Sequence, residues 1–131
     1  MKDIEQIGKQ VVDAAFQVHQ TLGPGLLESS YEACLAHEFS LRELSFELQK
    51  NLPIQYKGLN LSAGYRLDFL VENQVIIELK SVDILQPVHH AQLLTYLKLS
   101  HLTLSYLINF NVPLLKDGLR RDVLNHPTSS S

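Results

Sequence analysis

Asp68 and Glu78 stand ten positions apart, and Lys80 follows Glu78 by two, in a stretch that is otherwise apolar and β-branched: Arg66-Leu67-Asp68-Phe69-Leu70-Val71 and Val75-Ile76-Ile77-Glu78-Leu79-Lys80. Two carboxylates brought together on one face can share a proton, be balanced by neighbouring cations such as Arg66 and Lys80, or hold a divalent metal ion. Mg²⁺ is commonly bound through one or two carboxylates while it keeps several waters, and a lysine beside it can orient one of those waters or help deprotonate it.

The elements around these residues must bring them together. Tyr65 to Val71 and Val75 to Lys80 read as two strands joined by Glu72-Asn73-Gln74, a three-residue loop in which Asn73 can take the left-handed conformation. The register that follows opposes Val71 to Val75, Phe69 to Ile77 and Leu67 to Leu79, an apolar face, and Leu70 to Ile76, Asp68 to Glu78 and Arg66 to Lys80 on the other. A one-residue slip would mix charged and apolar side chains on both faces, so burial of one face selects this pairing. Directly opposed carboxylates have Cβ atoms roughly 5 Å apart. They repel by about 3 kcal/mol at an effective dielectric near 20, so something must offset the repulsion. By spacing alone, a solvated sheet face balanced by Arg66 and Lys80 is the plainer reading.

Elsewhere, Ile4, Ile7, Val11, Ala14, Val18 and Leu22 recur at helical intervals and predict an amphipathic helix that Gly23-Pro24-Gly25 ends. A second helix is predicted from about Leu26 or Leu27 to Leu44, with Leu27, Tyr31, Leu35 and Phe39 facing inward and Cys34 in the core. Phe46 to Tyr56 alternates as a strand whose Pro53 marks an edge or a bulge, and Lys57 to Gly64 is turn-rich. A helix opens near Pro87, where the missing N–H has no intrahelical role, and Leu102 to Phe110 reads as a buried strand. The order is α, α, β, β, β, α, β, with the Leu114 to Leu124 segment unassigned.

The motifs carry a family resemblance. Asp68 followed by Glu78-Leu79-Lys80 resembles the D-Xn-E-x-K site of the PD-(D/E)XK nuclease superfamily; Gln92 and Tyr96 resemble the Q-x-x-x-Y signature of its RecB-like branch; and Gly25-Leu26-Leu27-Glu28-Ser29-Ser30-Tyr31 is similar to the signature of the GxxExxY protein family. The resemblance runs from about His19 to about Arg121 and includes Ile108-Asn109-Phe110. It implies an α/β, restriction-endonuclease-like core of order αβββαβ, a mixed central sheet flanked by helices, with an extra N-terminal helix. It further implies a metal-dependent nuclease hydrolysing phosphodiester bonds of DNA or RNA with Mg²⁺, for which Mn²⁺ can substitute. Asp68, Glu78 and the backbone carbonyl of Leu79 are then the metal ligands, and Lys80 positions the attacking water. Glu28, favoured in a first helical turn by the helix dipole alone, reaches the metal site in related nucleases. Gln92 and Tyr96, four apart and joined by His89 on one helix face, look into the cleft beside the Leu93, Leu94 and Leu97 stripe.

Bulk properties narrow the field. The 131 residues suit one domain, taken as 1–126 with a polar tail at 127–131, and no apolar run approaches the roughly 20 residues of a membrane span. A lone cysteine and no secretory signal fit a reducing cytoplasm. Net charge −3 argues against a broad electrostatic grip on nucleic acid, since phosphate binding rests on Lys and Arg. That balance supports an alternative, a catalytically weak nuclease-fold binding or assembly module, and makes a homodimer or a basic protein partner one route to a nucleic-acid surface. The Gly-Pro-Gly turn lacks the Lys-Ser/Thr of a phosphate loop, His89-His90 lacks the partners of a zinc site, and His19 reads as structural. His37, His101 and His126 carry no motif.

Overall fold

The computed structural model describes residues 2–61 and 64–126. The chain begins with helix α1 (Ile4–Leu22), whose N-cap Asp3 accepts from the Gln6 amide at 3.2 Å and whose end is set by Gly23 at φ 73°. Helix α2 (Glu28–Leu41) starts one residue after Leu27 and stops short of the expected Leu44. Strands β1 (Phe46–Asn51), β2 (Ile54–Tyr56), β3 (Leu59–Leu61), β4 (Arg66–Val71) and β5 (Val75–Lys80) follow. Helix α3 (Pro87–Ser100) leads to β6 (Leu104–Asn109), a 3₁₀ turn (Leu115–Asp117) and β7 (Leu119–Val123).

Among the described residues, five strands form one mixed sheet in the order β1-β4-β5-β6-β7, parallel only between β5 and β6. A parallel neighbour needs a crossover, and α3 provides it. The helices therefore cover both faces, which is why all six β6 residues are buried. On the face of α1 and α2, Val11, Ala14, Tyr31, Leu35 and Phe39 close over Phe69, Val75 and Ile77. On the face of α3, Leu93, Tyr96 and Leu97 pack on Leu70, Ile76 and Leu107.

The mixed sheet, the flanking helices and the leading extra helix agree with the expected restriction-endonuclease-like architecture. Several local expectations do not survive. The strand expected from Phe46 to Tyr56 breaks at Leu52-Pro53, and its second half pairs with β3, inside the segment read as turns, to form a separate two-stranded ribbon. Leu27 is 73% exposed because it is the N-cap of α2 and not part of its buried face. Cys34 is exposed, since the buried positions of α2 are Tyr31, Leu35 and Phe39, and a residue three beyond Tyr31 and one before Leu35 lies off that stripe. The unassigned segment forms the 3₁₀ turn and β7. The polar tail at 127–131 lies outside the described residues.

No helix among the described residues is long and apolar enough to cross a membrane.

Candidate active site

The β4–β5 hairpin keeps the expected register over three pairs, Val71 with Val75, Leu70 with Ile76 and Phe69 with Ile77. Its turn bonds the Gln74 amide to Val71 O at 2.9 Å, with Glu72 and Asn73 both at positive φ, the combination that matches strand twist in a tight hairpin. The ladder then stops. Asp68 and Glu78 do not occupy a regular opposed position, and the expected Leu67–Leu79 and Arg66–Lys80 pairs do not form. Instead each carboxylate takes a backbone donor from the other strand: Glu78 Oε1 accepts from the Asp68 amide at 3.3 Å, and Asp68 Oδ2 accepts from the Leu79 amide at 2.8 Å. The two side chains fill the gap between the strands and satisfy amides the ladder has abandoned. Leu67, expected to share a face with Phe69, packs instead with Leu52, Leu93 and Leu97 in the α3 core.

The same irregularity affects the other neighbour of β4. Leu48 pairs with Phe69 and Lys50 with Leu67, but Gln49, between them at φ 51°, makes no pair with Asp68. Its side-chain nitrogen donates to Asp68 Oδ1 at 3.3 Å and to Glu32 Oε2 at 2.7 Å. Asp68 thus sits where the sheet is interrupted on both sides.

Burial pushes the Glu78 carboxyl up to about 9, and the adjacent Asp68 carboxylate adds to the rise; the Asp68 amide and Lys80 oppose it only partly. Of the three ways to relieve the opposed charges, the arrangement by itself therefore favours a retained proton on Glu78 over neutralisation by Lys80. Arg66 is exposed, pairs with Asn51 of β1 and not with Lys80, and is not among the groups that act on the Glu78 carboxyl, where Lys80 is the opposing cation. Glu28, in the first turn of α2, is likewise raised by partial desolvation and by the Asp68 and Glu32 charges, with Lys80 opposing. Tyr96 is raised by burial and then by the charge of Glu78, which places it beside the pair from the α3 side. Gln92 stands farther out, exposed, and donates to the Tyr96 hydroxyl at 2.9 Å.

A second set of contacts fixes the entrance to α2. The Tyr31 hydroxyl donates to Gly23 O at 2.6 Å and accepts from the Leu26 amide at 3.2 Å, while its ring stacks on Phe110 at 4.4 Å. Ser81 Oγ donates to Leu26 O at 2.7 Å, so the residue after Lys80 is tied to the turn that precedes Glu28. Buried Asn109 holds the next residue from both sides, donating to Val82 O at 2.9 Å and accepting from the Val82 amide at 3.1 Å. Tyr31 therefore pins the loop between Gly23 and Leu26, the segment that leads into Glu28 at the start of α2.

The hairpin assembles Asp68, Glu78 and the Leu79 amide, and Glu28, Lys80 and Tyr96 surround them. The histidines serve elsewhere. His19 meets Val112 O at 2.8 Å, His89 Nδ1 accepts from the Gln86 amide at 3.1 Å at the start of α3, and His90 pairs with Asp122. Sequence reasoning passed over Gln49 and Glu32. Glu32 had a signal, four residues after Glu28 and so on the same helix face. Gln49 had none, because a positive φ at an alternating strand position leaves no mark on residue type. A hollow of about 790 Å³ between Pro53, Leu97, His101 and Leu124 is lined by no carboxylate and is not where this chemistry lies.

Among the described residues, no three His, Cys, Asp or Glu side chains lie close enough together to hold a metal ion. The donors nonetheless suit a hard cation: two carboxyl groups on adjacent strands, Glu78 raised first by burial and then by its neighbour Asp68, match the one or two carboxylates that Mg²⁺ takes with its waters.

A mixed five-stranded sheet flanked by helices, with an acidic couple and a lysine where two central strands part, defines a restriction-endonuclease-like protein. A family model of the PD-(D/E)XK nuclease superfamily matches residues 5–122, and the chain belongs to that superfamily. No curated protein and no solved structure matches it significantly.

Proposed function

We propose that the chain is a metal-dependent nuclease that hydrolyses phosphodiester bonds of DNA or RNA, of the GxxExxY kind and the RecB-like branch. Superfamily membership supports the reaction class. The observation that carries the site is the pairing of Asp68 with Glu78, which holds one carboxyl at about 9 and so keeps a proton where a dication would serve better. Asp68, Glu78 and the Leu79 carbonyl would hold Mg²⁺ or Mn²⁺. When bound, the ion would supply an acidified water and charge neutralisation at the phosphate.

The chain's own groups do the rest. Lys80 positions the attacking water and meets charge developing on the phosphate oxygens. The water oxygen forms the new bond to phosphorus as the bond to the leaving sugar oxygen breaks; the attacking water gives a proton to solvent, and the departing oxygen takes one from solvent water to leave as the hydroxyl. Glu28 orients water at the edge of the site, and Tyr96, steadied by Gln92, closes it from α3. Incubation of single- and double-stranded DNA and RNA with Mg²⁺ or Mn²⁺, with Glu78→Ala and Lys80→Ala as controls, tests this. Cleavage that depends on both residues supports the assignment, whereas cleavage indifferent to both removes it.

A second reading, a nuclease-fold binding or assembly module, is favoured by one observation: Leu27, Ile84 and Val88 are 73%, 70% and 66% exposed on a chain of net charge −3. Light scattering and a pull-down from lysate, run beside the cleavage assay, separate an assembling module from a free-standing enzyme.

A further inference from the structure

We propose that Gln49 and Glu32 are positioning residues for Asp68, with the Gln49 amide, anchored by Glu32, fixing the orientation in which the Asp68 carboxylate meets a cation. The inference rests on the reading of Asp68 and Glu78 as cation ligands. A single donor, the Leu79 amide on Oδ2 at 2.8 Å, leaves a carboxylate able to swing about that contact. A second donor on Oδ1, Gln49 at 3.3 Å, fixes its plane. Because this second bond is long, it positions only if the amide itself cannot turn, and the 2.7 Å bond from the same nitrogen to Glu32 Oε2 holds it. An amide nitrogen carries two hydrogens, and here each has a carboxylate.

The choice of an amide has an electrostatic reason. A lysine or arginine between Glu32 and Asp68 would bind both more strongly but would repel a cation at the same oxygens, whereas a neutral donor orients them and leaves their charge available. Backbone geometry points the same way. Gln49 lies at φ 51°, a region that residues other than glycine seldom enter, and it forgoes its pairing with Asp68 while both its neighbours keep theirs. The strand departs from regularity at the one residue whose side chain reaches the acidic couple.

The test is calorimetric titration of the intact chain with Mn²⁺, with metal-free thermal unfolding of each variant alongside. Wild type should bind, and Asp68→Asn should not. Gln49→Gly suits the positive φ and should unfold no earlier than wild type, yet bind Mn²⁺ about 10-fold or more weakly, as loss of an outer-sphere partner does. Glu32→Ala should weaken binding to a similar degree, and Glu32→Gln should restore it, because an amide oxygen accepts the same hydrogen bond. Wild-type affinity in both Gln49→Gly and Glu32→Ala overturns the relay while leaving the cation site standing. A Glu32→Gln as weak as Glu32→Ala also overturns it, since the effect would then be one of charge. Absence of Mn²⁺ binding by wild type removes the cation site and the relay together.

Discussion

On β5, Glu78 shares its surroundings with a second acid, Asp68, and is pushed up to about 9; on β7, Asp122, 7% exposed at its side chain, meets a base, with His90 Nδ1 at 3.1 Å. Burial raises Asp122 as well, but His90 and Arg120 oppose the rise. Its other oxygen, Oδ2, has no hydrogen-bond partner among the described residues. The His90–Asp122 contact joins α3 to β7 and sets an imidazole nitrogen against a carboxylate oxygen. Asp68 and Glu78 do not suit each other: they bridge the strands at the expense of a carboxylate that must stay protonated. A buried acid matched with a base is a joint, while two acids pressed together hold unfavourable energy that a cation would release. Substitutions at the two places should therefore behave oppositely.

Glu78→Gln gives the largest contrast. The glutamine can accept from the Asp68 amide and donate to the Asp68 carboxylate without the proton that Glu78 must take up on folding at neutral pH, so the variant should be more stable than wild type by about 1–3 kcal/mol there. It should also lose cleavage by roughly 10²–10³ or more, the scale of the several kcal/mol that a bound cation contributes when one of its ligands is removed. Urea unfolding and a nuclease assay on the same preparation measure both. At the matched site, His90→Ala should do the reverse: cleavage unchanged, and stability lower by about 1 kcal/mol, because His90 is half exposed and water partly replaces it.

The pH dependence sharpens the comparison. A carboxyl raised to about 9 in the folded chain holds a proton that the unfolded chain releases near its ordinary value of 4.5. Its contribution to stability is complete below about 4.5 and is lost as pH climbs through about 9, at a rate of at most about 1.4 kcal/mol per pH unit for one proton. Wild type should thus lose stability relative to Glu78→Gln between pH 5 and 8.5. Parallel curves for the two proteins would show that Glu78 titrates normally.

Smaller effects test the supports. Tyr31→Phe keeps the Phe110 stack but removes both hydroxyl bonds, to Gly23 O and from the Leu26 amide, and should lower stability by about 1–2 kcal/mol in thermal unfolding. Cys34→Ser should change stability by less than about 0.5 kcal/mol, because the thiol is exposed, and the native thiol should react promptly with a disulfide reagent.

The sequence made the middle of this fold legible and its margins obscure, for physical reasons. Val71, Phe69, Val75 and Ile77 face a core on a face that one register satisfies, so the hairpin and its two acids were readable from alternation alone. Leu27 and Cys34 were misplaced because helical period gives a stripe without its phase at the ends: Leu27 proved to be a cap, and Cys34 fell beside the stripe. The Leu67 change of face follows from the open ladder at Asp68, a tertiary event that no local pattern announces. The ribbon of β2 and β3 and the edge strand β7 are short and exposed, where hydrophobic periodicity is weakest. At the site, the acids and Lys80 were legible as residue types in a spaced motif. Gln49 and Ser81 were not, and Asn109 stood out only as part of Ile108-Asn109-Phe110 without a role, because amides and hydroxyls declare a role only through the partners the fold gives them.

Anomalous scattering from crystals soaked in Mn²⁺ reads the acidic couple most directly. The expected result is a peak within coordination distance of both Asp68 and Glu78 in wild type, absent from Glu78→Gln. Crystals that show the two carboxyl groups still on the Asp68 and Leu79 amides, with no peak at saturating Mn²⁺, would contradict the assignment of this gap in the sheet as a cation site.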